Sequence, residues 1–189
     1  MIRVLDIIFS VIGLALLLPL FVILFVVGYV DTGSPIFSQY RVGKHKRPFR
    51  LYKWRTMEKH TETIPSHTVS PDAITKWGAF LRKTKLDELL QLVNVLKGDM
   101  SLVGPRPNLP EQHALTDLRE KYGIYGVRPG ITGQSQIKQI NMSTPDALVK
   151  NDAEMIASFN IRRYITILFK TVIRKVGGDA TADELSKGS

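Results

Sequence analysis

Residues 84–107 read TKLDELLQLVNVLKGDMSLVGPRP, and in them two acids, Asp87 and Glu88, stand side by side at the head of an apolar-periodic run. Taken alone, the pair reads as a helix start. Thr84 with an acid three positions on resembles a capping box, and carboxylates in a first turn favour the helix dipole by about 1 kcal/mol. The neighbours point toward chemistry instead. Adjacent helical residues face different directions, so one carboxylate could meet a metal and phosphate while the other positions or deprotonates a group beside it. Arg82, Lys83 and Lys85 lie just upstream, and Pro105-Arg106-Pro107 lies downstream. Each proline fixes its own backbone and Pro107 drives Arg106 out of the α region, which presents a guanidinium on a stiff turn suited to two-point phosphate contact. Arg128-Pro129-Gly130 repeats the device, and Lys53 and Arg55 of YKWR add two cations. Acids among such cations suit Mg²⁺ bridging a carboxylate and substrate phosphates. No one of these motifs is specific; together they suggest phosphate chemistry at a membrane surface.

Several elements must position these groups. PIFSQYRVGKHKRPFRLYKW alternates around a Gly-Lys-His-Lys-Arg-Pro turn and predicts a hairpin that carries Lys53. ITKWGAFLRKT predicts one helix. LDELLQLVNVLK predicts a second, with Leu86, Leu89, Leu90, Val93 and Leu96 on its apolar face and Gly98-Asp99 as its stop. LPEQHALTDLREK predicts another helix, whereas VRPGITGQSQIKQI is rich in breakers and predicts an extended or looped segment. STPDALVKNDAEMIASF opens with Thr144 as a cap and Pro145 at the first helical position. Residues 160–176, NIRRYITILFKTVIRKV, form a basic amphipathic helix, able to lie in a membrane interface or to pack on the core with a solvated basic face. Residues 58–71 are polar and predict a loop, and 177–189 predict a disordered tail.

The chain has 189 residues, a formal net charge of +9 and no cysteine. That length holds one domain with a real core. The charge calls for anionic partners, and the missing cysteines exclude disulfides, thiol catalysis and thiolate metal sites. The four histidines lack ligand spacing, which argues against zinc. From Ile7 to Val30 no residue carries a formal charge, a stretch of roughly 36 Å as a helix against roughly 30 Å of bilayer hydrocarbon. It is too long for a signal-peptide core and reads as a membrane segment. Pro19 divides it into arms of roughly 24 and 15 Å, neither long enough to cross alone. A helix that dips in and returns and an ordinary span with a tolerated proline are both open. Arg41, Lys44, Lys46, Arg47, Arg50, Lys53 and Arg55 follow directly, a cluster that belongs on the cytoplasmic side.

The order YKWRTM, FLRKTKLDELLQLVNVLKGDMSLVGPRP and VRPGITGQSQ, behind a hydrophobic segment interrupted by proline, closely resembles the small monotopic bacterial phosphoglycosyl transferases. The resemblance runs to about residue 175 and is most specific over 80–107. It implies a mostly α fold with a small β element: a re-entrant membrane helix over 1–30 bent at Pro19, and a cytoplasmic catalytic domain over 31–176 with interfacial amphipathic helices. It implies an enzyme of the bacterial inner membrane, catalytic domain on the cytoplasmic face. Such an enzyme moves a sugar-1-phosphate from a UDP-sugar to undecaprenyl phosphate, requires Mg²⁺ and releases UMP, to start an O-antigen, capsule, exopolysaccharide or glycoprotein glycan. By the same resemblance Asp87 is the nucleophile of a ping-pong reaction, forming a covalent phosphosugar-aspartyl intermediate, and helps hold Mg²⁺. Glu88 is the supporting acid. Lys53, Arg82 and Arg128 match phosphate-binding positions, with Arg55 able to share the task of Lys53, and Arg106 matches the element near the nucleotide diphosphate.

The sequence departs from the family pattern in three places. Leu90 stands where many members have proline, Leu18 precedes Pro19 where some have serine, and GQSQI replaces a more apolar stretch. A nucleic-acid binder is opposed by the membrane segment and by scattered basic residues. A non-catalytic membrane scaffold of the same fold is opposed by the intact Asp87, Glu88, Arg106 and Arg128. A phosphohydrolase of the lipid or nucleotide sugar would yield free sugar phosphate.

Overall fold

A computed structural model describes residues 1–59 and 73–173. The helix α1 (Ile2–Thr32) runs through Pro19 and ends at Gly33, whose φ of 67° closes the last turn through its N–H on the Tyr29 carbonyl. It is apolar enough to cross a membrane by length and composition. Leu16, Leu18, Val22 and Val30 are exposed along one side. The other side packs on the rest of the chain over its whole length. Leu5, Leu14 and Leu17 join the main core, while Leu20, Phe21 and Leu24 join a second cluster with Trp54 and Leu81. At its C-terminal end Gly28 lies against Pro35, where an added Cβ would come within 3.1 Å.

The hairpin forms as its alternation predicts. Strands β1 (Ile36–Val42) and β2 (Pro48–Trp54) pair antiparallel, with Phe37 opposite Lys53 and Gln39 opposite Leu51. The turn between them places His45 and Lys46 in the left-handed region, φ 56° and 59°. Helix α2 (Lys76–Thr84) starts on Thr75, whose hydroxyl accepts from the Gly78 N–H at 2.8 Å. Gly78 is pressed on the backbone of Thr56, so a Cβ there would fall 2.0 Å from the Thr56 carbonyl oxygen.

The predicted helix over 86–97 is divided. Lys85, at φ 59°, stops α2, a 3-10 turn spans Leu86–Glu88, and α3 (Gln91–Lys97) follows. The capping box is absent: the Thr84 hydroxyl donates back to the carbonyls of Phe80 and Leu81. The apolar stripe is also rotated. Leu92 and Val95 are buried in the core, whereas Val93 and Leu96 are half-buried. A short helix wedged between α1 and the hairpin is enclosed on several sides, so the single-face rhythm does not select its core residues. Gly98, φ 91°, ends α3 as expected.

Beyond it β3 (Ser101–Val103) and β4 (Gly130–Thr132) pair in parallel, Ser101 opposite Gly130 and Val103 opposite Thr132. Helix α4 (His113–Lys121) lies between them in sequence. The breaker-rich segment 127–140, predicted extended or looped, is extended at β4 and then forms the single helical turn α5 (Gln134–Ile137). Helix α6 (Pro145–Ala157) begins with proline as predicted, but the Thr144 hydroxyl donates to Asn141 rather than capping. Helix α7 (Ile161–Ile173) buries Tyr164 and Ile167 and leaves Phe169, Val172 and Ile173 exposed. Its apolar residues thus serve both faces, core and exterior. The fold class is as expected, mostly helical with two small two-stranded sheets among the described residues. The predicted tail over 177–189 and most of the 58–71 loop lie outside the described residues.

Candidate active site

Asp87 and Glu88 sit on the 3-10 turn that joins α2 to α3, held from one side by β2. Asn94, fully buried on α3, makes that attachment: its carbonyl oxygen accepts from the Tyr52 N–H at 3.0 Å and its amide donates to the Arg50 carbonyl at 2.6 Å. β2 is thereby fixed beside the acid turn, and Lys53 Nζ reaches Glu88 Oε1 at 3.0 Å. From the other side Arg106 Nη2 reaches the same oxygen at 2.8 Å. Two cations 35 and 18 positions away from Glu88 in sequence, Lys53 before it and Arg106 after it, therefore converge on one carboxylate oxygen.

The two acids have opposite environments. Asp87 is buried, and its Oδ1 makes no hydrogen bond among the described residues. Burial pushes its carboxyl above the ordinary aspartate range; Lys53 pulls it back and the Glu88 charge raises it again. An unpartnered carboxylate oxygen in such a place is costly to keep and correspondingly basic. Glu88 is also pushed up by burial, but Arg106 and Lys53 outweigh that and hold it well below the usual carboxylate range. At neutral pH Glu88 is a fixed anion, while Asp87 offers a free oxygen.

The remaining candidates divide. Arg82 donates from Nε to the Thr56 hydroxyl at 2.9 Å, which fixes its stem beside the loop that follows β2. Arg55 is engaged elsewhere: Nε donates to the Ser34 carbonyl at 2.7 Å and the guanidinium lies over Phe37, so it braces the junction of α1 and β1. Arg128 donates from Nε to the Gly98 carbonyl at 2.8 Å, at the end of α3 remote from the acids. Seven helical residues put roughly 10 Å between those ends. The structure therefore brings Lys53, Glu88 and Arg106 into direct contact around the turn of Asp87, and engages Arg55 and Arg128 at other points. Pro19 lies within α1, whose C-terminal half packs by Leu24 on Trp54 and Leu81, the residues flanking Lys53 and Arg82.

No group of three or more metal-ligating side chains occurs among the described residues. A magnesium ion needs fewer, because it is commonly held by one or two carboxylates, waters and substrate phosphates. The orphaned Asp87 Oδ1 is a hard oxygen of the right kind, so the residues present fit such an ion.

Sequence reasoning missed three supports. Asp6 is buried, and its Oδ1 accepts from the Ser101 hydroxyl, the Leu102 N–H and the Tyr164 hydroxyl, each at 2.9 Å. Its signal was an acid placed where a membrane segment begins. Asn94 had none, being a polar residue inside an apolar run. Arg119 and Asp152, both buried, pair at 3.2 Å across α4 and α6. Each is unremarkable in its own helix, and only long-range packing joins them.

Comparison with known proteins agrees with the motif order. Residues 1–178 match the bacterial sugar transferase family. The undecaprenyl-phosphate galactose phosphotransferase of Salmonella typhimurium is 35% identical over 196 aligned positions, covering 93% of this chain and 41% of that protein. The UDP-N-acetylgalactosamine-undecaprenyl-phosphate N-acetylgalactosaminephosphotransferase of Aeromonas hydrophila is 35% identical, covering 90% of this chain and 42% of that protein. The exopolysaccharide production protein ExoY of Rhizobium meliloti is 32% identical, covering 90% of this chain and 83% of that protein. The chain thus spans about two-fifths of the length of the first two of these relatives. The family match spans residues 1–178 of 189, so the chain belongs to the bacterial sugar transferase family.

Proposed function

We propose that this protein transfers a sugar-1-phosphate from a UDP-sugar to undecaprenyl phosphate through Asp87. The observation that carries the reading is the pairing of a buried, unpartnered Asp87 oxygen with a Glu88 whose charge is held by Lys53 and Arg106. In the first step an Asp87 carboxylate oxygen attacks the phosphorus that bears the sugar. The P–O bond to UMP breaks, UMP leaves with the electron pair, and an aspartyl phosphosugar remains. In the second step an oxygen of the lipid phosphate attacks that phosphorus. The acyl-phosphate bond breaks, the Asp87 carboxylate is restored, and a polyprenyl diphosphate sugar is released.

The raised basicity of Asp87 favours its attack, since a carboxylate in a desolvated site is a stronger nucleophile than one in water. Glu88 orients: it keeps Lys53 and Arg106 together beside the reacting phosphates and, as a fixed anion, is not a proton carrier at neutral pH. Mg²⁺, held by Asp87, would supply neutralisation of charge on the diphosphate. Arg106 contributes a donor fork to the nucleotide diphosphate, and Arg82 and Arg128 are assigned to phosphate on the family pattern. Galactose and N-acetylgalactosamine, the sugars in the names of relatives, are the donors to try first.

The same reading places α1 as a re-entrant helix in the inner membrane with both ends on the cytoplasmic side. Arg3 donates to the Leu96 and Met100 carbonyls near one end, and Asp31 accepts from the Thr75 hydroxyl near the other. Residues 96–100 and Thr75 belong to one packed body, and contacts to it from both ends of the helix support a return to the same side of the bilayer. A label at Met1 reactive only from the cytoplasmic side is expected, and reaction from the periplasm rejects this topology. For the chemistry, intact-mass measurement after mixing the purified protein with Mg²⁺ and UDP-galactose or UDP-N-acetylgalactosamine, without lipid, should show one hexose-phosphate or N-acetylhexosamine-phosphate adduct. Transfer in the presence of lipid with no adduct after rapid quenching rejects the covalent step.

A further inference from the structure

The loop that presents Arg106 has an unusual problem of attachment. Pro105 and Pro107 have no backbone N–H, so two of the three residues of the Pro-Arg-Pro element offer only carbonyls by which they can be held. All the carbonyls over 105–108 are gripped. The Gly130 N–H takes that of Pro105 at 2.9 Å and the Val42 N–H takes that of Asn108 at 3.0 Å. Arg41 Nη1 reaches that of Pro107 at 3.3 Å. The Arg106 carbonyl itself is taken by Arg119 Nη1 at 2.7 Å.

Arg119 is 1% exposed and Asp152 0%, so their pairing takes place wholly inside the protein. The same Arg119 nitrogen also donates to Asn108 Oδ1 at 3.1 Å, and Nη2 donates to Asp152 Oδ2. The other Asp152 oxygen accepts from the Ser135 hydroxyl at 2.6 Å, and Asn151 in turn donates to Ser135. Nε of Arg119 has no hydrogen-bond partner among the described residues. A buried ion pair with an unmet donor is a poor device for stability, because desolvating both charges offsets most of their attraction and an apolar pair of similar volume often serves as well. It is a good device for geometry. A guanidinium fork locked at one end by a carboxylate delivers its other donor along a fixed line.

We propose that Arg119, braced by Asp152, is a positioning residue for the transfer reaction: it fixes the Arg106 backbone carbonyl and thereby sets where the Arg106 guanidinium stands beside Glu88. This rests on the function proposed above. Arg119→Lys keeps a charge for Asp152 but has one ammonium in place of two separated donors, so it cannot hold the carboxylate and the carbonyl in the same directions. The effect expected is a fall in kcat/KM for the nucleotide sugar of about 30-fold, within the range that misplacing a reacting group produces.

A cycle with Arg106→Ala separates positioning from general damage. If Arg119 acts through Arg106, R119K should cost less than about threefold in the R106A background. An equal loss in both backgrounds overturns the proposal. D152N gives the same cycle with a near-isosteric side chain should R119K not fold, and must show the same dependence on Arg106. Hydrogen exchange over 104–112 supplies a readout independent of turnover: faster exchange at the Arg106 and Asn108 amides is expected in R119K, and unchanged exchange rejects the fixing role. A wild-type protein that releases no UMP from any UDP-sugar sinks the functional reading, while the exchange measurement still decides whether Arg119 holds the loop.

Discussion

Replacing Asp6 by alanine tests whether the membrane helix is seated by a single carboxylate. Asp6 is 2% exposed, and one of its oxygens accepts three hydrogen bonds, from β3 twice and from α7 once. Bonds to a charged group contribute about 1.5–3 kcal/mol each, and a buried donor left unmet costs about 1–3 kcal/mol. In Asp6→Ala the Ser101 and Tyr164 hydroxyls can rotate toward other acceptors, but the Leu102 N–H is fixed within strand β3 and cannot. Counting that amide in full and the hydroxyls in part gives a loss of about 3–5 kcal/mol, the range found when one partner of a buried charge network is removed. For a chain of this size such a loss lowers Tm by on the order of 10 °C. Asp6→Asn keeps an acceptor in place and should lose about a third as much. The assay is thermal unfolding in nanodiscs followed by the fluorescence of Trp54 and Trp77, with UMP release measured on the same samples. Ser101 and Leu102 lead within a few residues to Arg106, so turnover should fall in the order wild type, D6N, D6A. D6A protein melting within 2 °C of wild type, against the ~10 °C worked above, would refute the reasoning and release the helix N-terminus from the body.

Further outcomes follow from the site. Asp87→Asn should abolish both turnover and the phosphosugar adduct, whereas Glu88→Gln should lower turnover by about 10- to 100-fold while an adduct still forms, because it loosens the cations without removing the nucleophile; single-turnover kinetics separate the two. Because burial raises Asp87, the acid limb of kcat should lie above the ordinary aspartate value of 3.8, with activity lost as pH falls through the raised value. Glu88 works in the other sense: its pKa is depressed in the folded protein, so its contribution to stability is present above 4.5, its unfolded value, and is lost as pH falls toward the folded value. Melts in EDTA should therefore show a shallower acid slope for E88Q than for wild type. Gly78→Ala should destabilise despite alanine's helix preference of about 1 kcal/mol, because a Cβ 2.0 Å from the Thr56 carbonyl forces α2 away; denaturant unfolding and UMP release would both report the displaced Arg82.

By itself the sequence determined the apolar N-terminal helix, the hairpin, the helix stop at Gly98, the helix start at Pro145, and the acids and cations from which the site is made. These are local properties: twenty-odd uncharged residues, alternation around a turn and the backbone limits of glycine and proline are visible without knowing what packs on what. The helix over 86–97 was misread because its periodicity assumes one buried face, and α3 is enclosed by α1 and β2 together. Motif reading likewise supplied Lys53, Arg82, Arg106 and Arg128 as phosphate or diphosphate contacts, with Arg55 able to share the task of Lys53. Only the tertiary structure decided that Lys53 and Arg106 converge on one Glu88 oxygen, that Arg55 is spent on Ser34 and Phe37, and that Arg128 meets the far end of α3. The difference in character between Asp87 and Glu88 came from the same source, since both are carboxylates on paper and are told apart by burial and by the charges that folding brings within 3.0 Å. Contacts between residues 33 or 158 positions apart have no period and no local composition, so Arg119 with Asp152 and Asp6 with Tyr164 existed only once the chain had closed on itself.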